Sequence, residues 1–181
     1  MNIFVLDKDP VKAAQAHVNK HCVKMILEYA QLLSTAHRVL DGNECIKLSE
    51  KGRKLKRHIL NDFRENKLYK STHINHPSAK WVRESSNNYI WLYNLFCRLC
   101  DEYTYRYNKV HLTDAKLRYV LEKIPNCIYI GELTLPPQAM PDEYKDIDPI
   151  KGYRNYYLGD KKRMLKWTNR KIPNWVLTNF P

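Results

Sequence analysis

The chain has 181 residues, with 31 lysines and arginines against 19 acidic residues, a net charge of +12. That length suits a single domain, 1–181, with a substantial core, and so basic a balance points to an anionic partner, nucleic acid ahead of a membrane surface. Only five glycines occur, and there is no P-loop, dinucleotide-binding glycine set, nucleophile elbow or zinc-deaminase signature. The common enzymes of nucleoside triphosphates and dinucleotides are therefore set aside. No secretory signal or apolar run long enough to span a bilayer is seen, so the expected setting is cytoplasmic, with no membrane partner. The cysteines, odd in number at five, are expected as reduced thiols.

In chain order, residues 2–6 (NIFVL) read as a short buried strand. Asp9 suits a helix N-cap and Pro10 the first helical position, and no proline or glycine follows before Gly42. One long helix is expected over 9–39. At about 100° per residue its apolar side chains cover most of the circumference and its polar ones fall in a seam. The seam holds His17, Lys20, His21, Lys24, Glu28, Gln31, Thr35 and Arg38. A narrow solvated face is one reading of it. Two histidines, a glutamine, a threonine and an arginine among Lys20, Lys24 and Glu28 make the other reading, a cleft or ligand site, equally worth weighing.

Residues 46–71 carry nine basic side chains, Lys51, Lys54 and Arg57 among them, against three acids. Leu55, Ile59, Leu60 and Phe63 have helical spacing, so a basic helix is expected. Thr72–Pro77 is loop. Ser78 is expected to cap a second long helix to about Tyr107, packed on the first, with Arg83, Glu84 and Asn88 turned toward the same seam. Its Cys97–Cys100 pair, with no second pair to complete a zinc site, reads as packing. A third helix is expected over 113–123, capped by Thr113. Residues 127–130 (CIYI) could pair with 2–6 as a two-stranded ribbon. Four prolines then mark 131–149 as an ordered loop containing Gln138. Pro149 opens a last helical stretch in which Tyr153, Tyr156, Tyr157 and Trp167 alternate with Arg154, Lys161, Lys162, Arg163 and Lys166, ahead of Arg170. Aromatic and basic side chains so interleaved suit base stacking and phosphate contacts.

The expected architecture is mainly α, with two long packed helices, shorter helices and a small two-stranded β ribbon. The candidate catalytic residues are Glu28, Lys24, His21, His17 and Arg38. Glu28 could act as a base or stabilise a cation, and a lysine beside other cations could form a Schiff base. Gln31, His73, Asn75, His76, Arg83, Glu84, Asn88, Arg106 and Gln138 are candidates for holding substrate. Lys54, Arg57, Arg154, Tyr157, Lys162, Arg163, Lys166, Trp167 and Arg170 are candidates for holding nucleic acid. His17 and His21 have the i, i+4 spacing of metal ligands, with His73 and His76 nearby, but no acid lies between them, so no metal and no cofactor is expected.

The segments HVNKHCVKMILEYAQLLSTAHR, YKSTHINHPSAKWVRES, EYTYRY and QAMPDEYK resemble a family encoded by tailed phages and other large DNA viruses. That resemblance implies a viral protein in the interior of a host cell. In size, basicity and aromatic basic tail the chain is also similar to the phage pyrimidine-dimer DNA glycosylases, known as endonuclease V. That family forms a Schiff base through its amino-terminal amine and stabilises it with a glutamate on the first long helix, a role the resemblance implies for Glu28. Here the amino terminus runs directly into the expected strand at 2–6, so Met1 is not among the candidates. The leading expectation is an enzyme acting on double-stranded DNA by base excision or base modification. A non-enzymatic nucleic-acid-binding or anti-host-defence protein and an enzyme of free nucleotides are the alternatives.

Overall fold

The computed structural model describes residues 1–50 and 52–179, so Lys51 of the basic segment lies outside it. Helices dominate. They are α1 (Pro10–Ala16), α2 (Asn19–Asp41), α3 (Pro77–Glu84), α4 (Ser86–Tyr107), α5 (Leu112–Leu121), α6 (Pro149–Leu158) and α7 (Asn174–Leu177). An antiparallel hairpin, β1 (Asn43–Leu48) and β2 (Lys54–Ile59), supplies the small ribbon. The two long helices, α2 and α4, pack side by side, with α1 on α4, and α3 and α5 completing the bundle on α2.

The expected helix over 9–39 is two helices. Asp9 caps α1 by accepting from the Val11 N–H, but His17 and Val18 are extended, with ψ of 131° and 158°. The cause lies 89 residues away on α4. Arg106 donates to the freed carbonyls of Gln15 and His17, at 3.0 and 2.8 Å, and to Asn19 Oδ1. Its Nε donates to Glu102 at 2.6 Å, and Glu102 also receives Arg170 from the C-terminal segment. Arg106 and Glu102 are each 3% exposed. Groups so buried must be paired, and these satisfy one another and the break together.

The second long helix breaks likewise. Ser85 is extended, and its hydroxyl accepts from Asn88 N–H to cap α4 while donating to the Glu132 carbonyl. Asn88 is buried and holds Trp81 O and both the N–H and hydroxyl of Thr134. It therefore fixes the segment 131–134 on α3 and α4 and does not face α2's seam. His111, one residue before α5, caps that helix in place of Thr113.

The ribbon forms from other residues than those expected. Residues 2–6 form no strand, although Ile3–Leu6 are buried. Side chains satisfy their backbone: Phe4 N–H donates to the Tyr29 hydroxyl, and Leu6 O accepts from Arg154. Residues 127–130 form no strand either, and Tyr129 and Ile130 are exposed. The segment read as a basic helix is instead the hairpin followed by a 3-10 turn, Phe63–Asn66. Leu55, Arg57 and Ile59 alternate at period two as readily as Leu55, Ile59 and Leu60 fit a helix, and Gly52, at φ +72°, supplies the turn. Gly42 ends α2 where a Cβ would sit 2.5 Å from Arg38 O and 3.0 Å from Ile59 O. Arg38, expected in the cleft, is 2% exposed and clamps this region, donating to the carbonyls of His58, Glu65, Leu68 and Tyr69 and to the Glu65 carboxylate.

Arg106→Met leaves the Gln15 and His17 carbonyls buried without their donor and Glu102 with Arg170 in place of two cations. It should cost about 3–5 kcal/mol, against at most about 1 kcal/mol for Arg98→Met on the exposed side of the same helix. Urea denaturation of the two variants reads the difference.

Candidate active site

The first residues of the chain, α2 and the end of α6 enclose a cavity of about 170 Å³. Met1, Asn2, Phe4, His21, Lys24, Met25, Glu28, Tyr156 and Lys161 line it. The nitrogen of the Met1 amino terminus lies 3.8 Å from Glu28 Oε2, and Lys24 Nζ lies 3.1 Å from Glu28 Oε1. The Glu28 side chain is 15% exposed and that of Lys24 68% exposed. One carboxylate thus stands between a half-enclosed α-amine and a lysine that reaches from solvent.

Tyr29, the residue after Glu28, fixes the amine there. Its hydroxyl accepts from Phe4 N–H at 3.1 Å and meets His17 Nε2 at 2.8 Å. His17 Nδ1 lies 2.7 Å from Ala13 O, so that nitrogen carries the proton, and Nε2 accepts from Tyr29. The Phe4 ring stacks on His21, with centroids 4.2 Å apart, and meets Tyr153 and Tyr157 edge-on. Asn2 donates to Ala139 O. The terminus is therefore pinned on both sides of the carboxylate.

Electrostatics divide the histidines from the pocket. Burial holds His17 down to about 4, with Arg106 adding to it against the bond to Ala13. Burial also takes His21 down to about 3, with His17, Lys161 and Lys24 adding to it. Both are neutral rings in a tyrosine network, His21 Nδ1 lying 2.6 Å from the Tyr157 hydroxyl. His76 borders the site. Its imidazole is held below the ordinary value by burial first, then by the amino terminus and His73, with Glu28 opposing. Lys161 completes the rim, its Nζ 4.6 Å from the Tyr156 ring centroid and 2.6 Å from Asp160. The amino terminus and Lys24 beside Glu28, with Lys161 paired to Asp160 on the rim, leave an excess of amines that favours an anion beside a reacting centre, and a primary amine next to a carboxylate is a nucleophile with a cation stabiliser at hand.

Of the expected site residues, Glu28, Lys24 and His21 meet here, with His76 at the edge. His17 lies behind them in the core. His73, in the left-handed region at φ 48°, and Asn75 are exposed on the loop before α3, whose N-cap is His76. Gln31 is half-buried farther along α2. Arg83 is half-buried and bonded to Ala79 O, and Glu84 is exposed. Gln138 is spent on the backbone of Asp146. Met1, Asn2, Phe4, Tyr156 and Lys161 were not legible from helix periodicity. For the amine, the one signal was its pairing with a helical glutamate in the glycosylase likeness.

A wider groove, of about 780 Å³, gathers part of the basic–aromatic C-terminal surface. Lys12, Arg154, Arg170 and Lys171 line it with Tyr105, Trp175 and a single acid, Asp7. Arg154 and Arg170 lie over the rings of Trp175 and Tyr105, and each is also paired, to Asp7 and Glu102. Lys162, Arg163 and Lys166 are exposed nearby in sequence, whereas Trp167 is half-buried and donates to Ala16 O. Tyr157, expected at a nucleic-acid surface, is fully buried. Lys54 is exposed and Arg57 half-buried on the hairpin.

Among the described residues no three His, Cys, Asp or Glu side chains converge as metal ligands, and no helix is long and apolar enough to cross a membrane. All five cysteines are free, and burial pushes the Cys22 thiol up to about 12. No family model, curated protein or solved structure matches the chain.

The buried histidines predict acid lability. His17 and His37 are held at about 4 and His21 at about 3, below the ordinary 6.5, so the unfolded chain binds more protons through that interval. Their contribution is fully present above pH 6.5 and declines as pH falls toward 4, by up to roughly 1.4 kcal/mol per pH unit for each histidine. Urea midpoints at pH 7, 6 and 5 should fall in order, with a shallower fall in His21→Gln. A flat profile would contradict the neutral network.

Proposed function

We propose that this protein is a DNA-acting enzyme that excises a base through a Schiff base formed by its amino-terminal amine. The observation that carries the reading is the Met1 nitrogen 3.8 Å from Glu28 Oε2 in a pocket edged by Lys24, Lys161, Phe4 and Tyr156. A net charge of +12 and the basic–aromatic groove support an extended polyanion as the substrate.

In this reading the unprotonated amine bonds to C1′ of the target nucleotide as the bond from C1′ to the base breaks. The base leaves with that electron pair and takes up a proton. The amine nitrogen then gives up a proton and the C1′–O4′ bond opens, with O4′ protonated, to leave an iminium. Glu28 lies where it can stabilise that cation and accept a proton from the amine. Removal of a 2′ proton expels the 3′ phosphate, and water hydrolyses the imine and restores the amine. Lys24 and Lys161 flank the amine as contacts for a phosphate of the target nucleotide.

Borohydride reduction on plain, irradiated and abasic duplexes tests the reading. A covalent adduct should form and map to Met1 by mass spectrometry. Glu28→Gln should lower turnover by about 100-fold or more while leaving duplex affinity within about threefold. Absence of any adduct, together with tight, salt-sensitive binding, would make the protein a nucleic-acid binder. Equal turnover of free nucleosides would remove DNA as the substrate.

A further inference from the structure

The hairpin stands apart from the bundle. None of the apolar residues of 43–59 belongs to the hydrophobic core, and Ile46 and Leu48 are 68% and 69% exposed. A lone two-stranded ribbon is marginally stable in water, and the hydrogen bonds that anchor this one lie toward its base. There Arg38 donates to His58 O, and the Glu65 carboxylate accepts from Leu60 N–H.

Its exposed face has a definite chemistry. Register sets Ile46 opposite Lys56 and Leu48 opposite Lys54, so the four side chains share one face, and all four are exposed. Over 43–59 six basic residues face two acids. One of those acids, Glu44, pairs with Lys56 at the surface, 2.7 Å away, a bond weak enough to exchange for a phosphate. A protein partner would suit the aliphatic pair but not the cationic border. Two strands about 4.8 Å apart, with their side chains, make a ribbon roughly 10 Å across, which matches a major groove about 12 Å wide and exceeds a minor groove about 6 Å wide.

We infer that the Ile46, Leu48, Lys54 and Lys56 face of the hairpin is a docking surface for the major groove of duplex DNA, the aliphatic pair touching thymine methyls and the lysines the flanking phosphates. The inference rests on duplex DNA being the substrate in the preceding reading. It adds a contact remote from the chemistry. Thirteen residues of α2 separate Glu28 from Asp41, ~20 Å of helix. A duplex running along α2 passes the hairpin about six base pairs from the pocket.

The test uses the full chain carrying Glu28→Gln, so that no reaction is needed, and reads binding by fluorescence anisotropy. The probes are plain 25-mer duplexes containing thymine, or uracil in its place. Ile46→Ser with Leu48→Ser should weaken binding to the thymine duplex about tenfold. Uracil should weaken binding by the parent chain at least about threefold and leave that double variant unaffected. Lys54→Gln with Lys56→Gln should reduce the slope of log affinity against log salt by about two. These positions are exposed, so circular dichroism and melting should match the parent and exclude unfolding as the cause. Unchanged affinity in the aliphatic variant, equal binding of thymine and uracil duplexes, or displacement by a minor-groove ligand would overturn the inference. So would a parent dimer in sedimentation that the aliphatic substitutions dissociate. A chain that forms no adduct yet discriminates thymine from uracil would refute the chemistry and keep the hairpin's role.

Discussion

Arg106 holds the chain open between α1 and α2, and the rest of the arrangement depends on that opening. A guanidinium buried at 3% exposure must find acceptors, and it finds them in Glu102 and in carbonyls that a continuous helix would have used for itself. The opening leaves His17 as the C-cap of α1, where its ring reaches Tyr29. Tyr29 in turn takes the Phe4 N–H, and the terminus three residues before Phe4 comes to rest beside Glu28. The same network reaches the C-terminal segment through Arg170 on Glu102 and Asn169 on the Arg106 carbonyl.

The polar seam of α2 therefore does several jobs. Just before α2 His17, and at its start His21, are neutral struts, because burial is the largest influence on each and lowers both. In the middle Lys24 and Glu28 line a cavity and pair with each other beside the amino-terminal amine. Toward its end Arg38 is wholly enclosed and organises residues 58–69 by hydrogen bonds to carbonyls. His37, one residue earlier, is locked between Arg64 and Tyr89. One line of polar side chains thus passes from core to pocket to clamp, because different elements cover it along its length.

Parts of this were legible because they are local. Asp9 with Pro10 starts α1 and Pro149 starts α6, as local geometry requires, and Asp148 adds the cap of α6. Most of the apolar arc of α2 and of the long repeat of α4 is buried as its spacing requires, though Val23, Leu27 and Ile90 are exposed and the arc is narrower than expected, and Glu28 was legible as the carboxylate of a basic seam. The hairpin was not, since its residues fit a helical stripe as well as an alternating one, and exposure on both sides removes the burial pattern that separates the two. Nor was the pairing of 2–6. An extended apolar segment reads as a strand, yet here side chains of Tyr29 and Arg154 take the place of a partner strand.

By itself, the sequence determined a mainly α chain, the starts of α1 and α6, most of the apolar face of the long helices, a strong positive charge and the nearness of Lys24 to Glu28 one turn apart. Those properties follow from bonds and spacings within a few residues. Only the tertiary structure decided where the long helices break, which seam residues are buried and where the amino terminus lies. Each of these depends on a polar group far away in sequence, such as Arg106 or Tyr29, whose burial is satisfied in the folded chain alone.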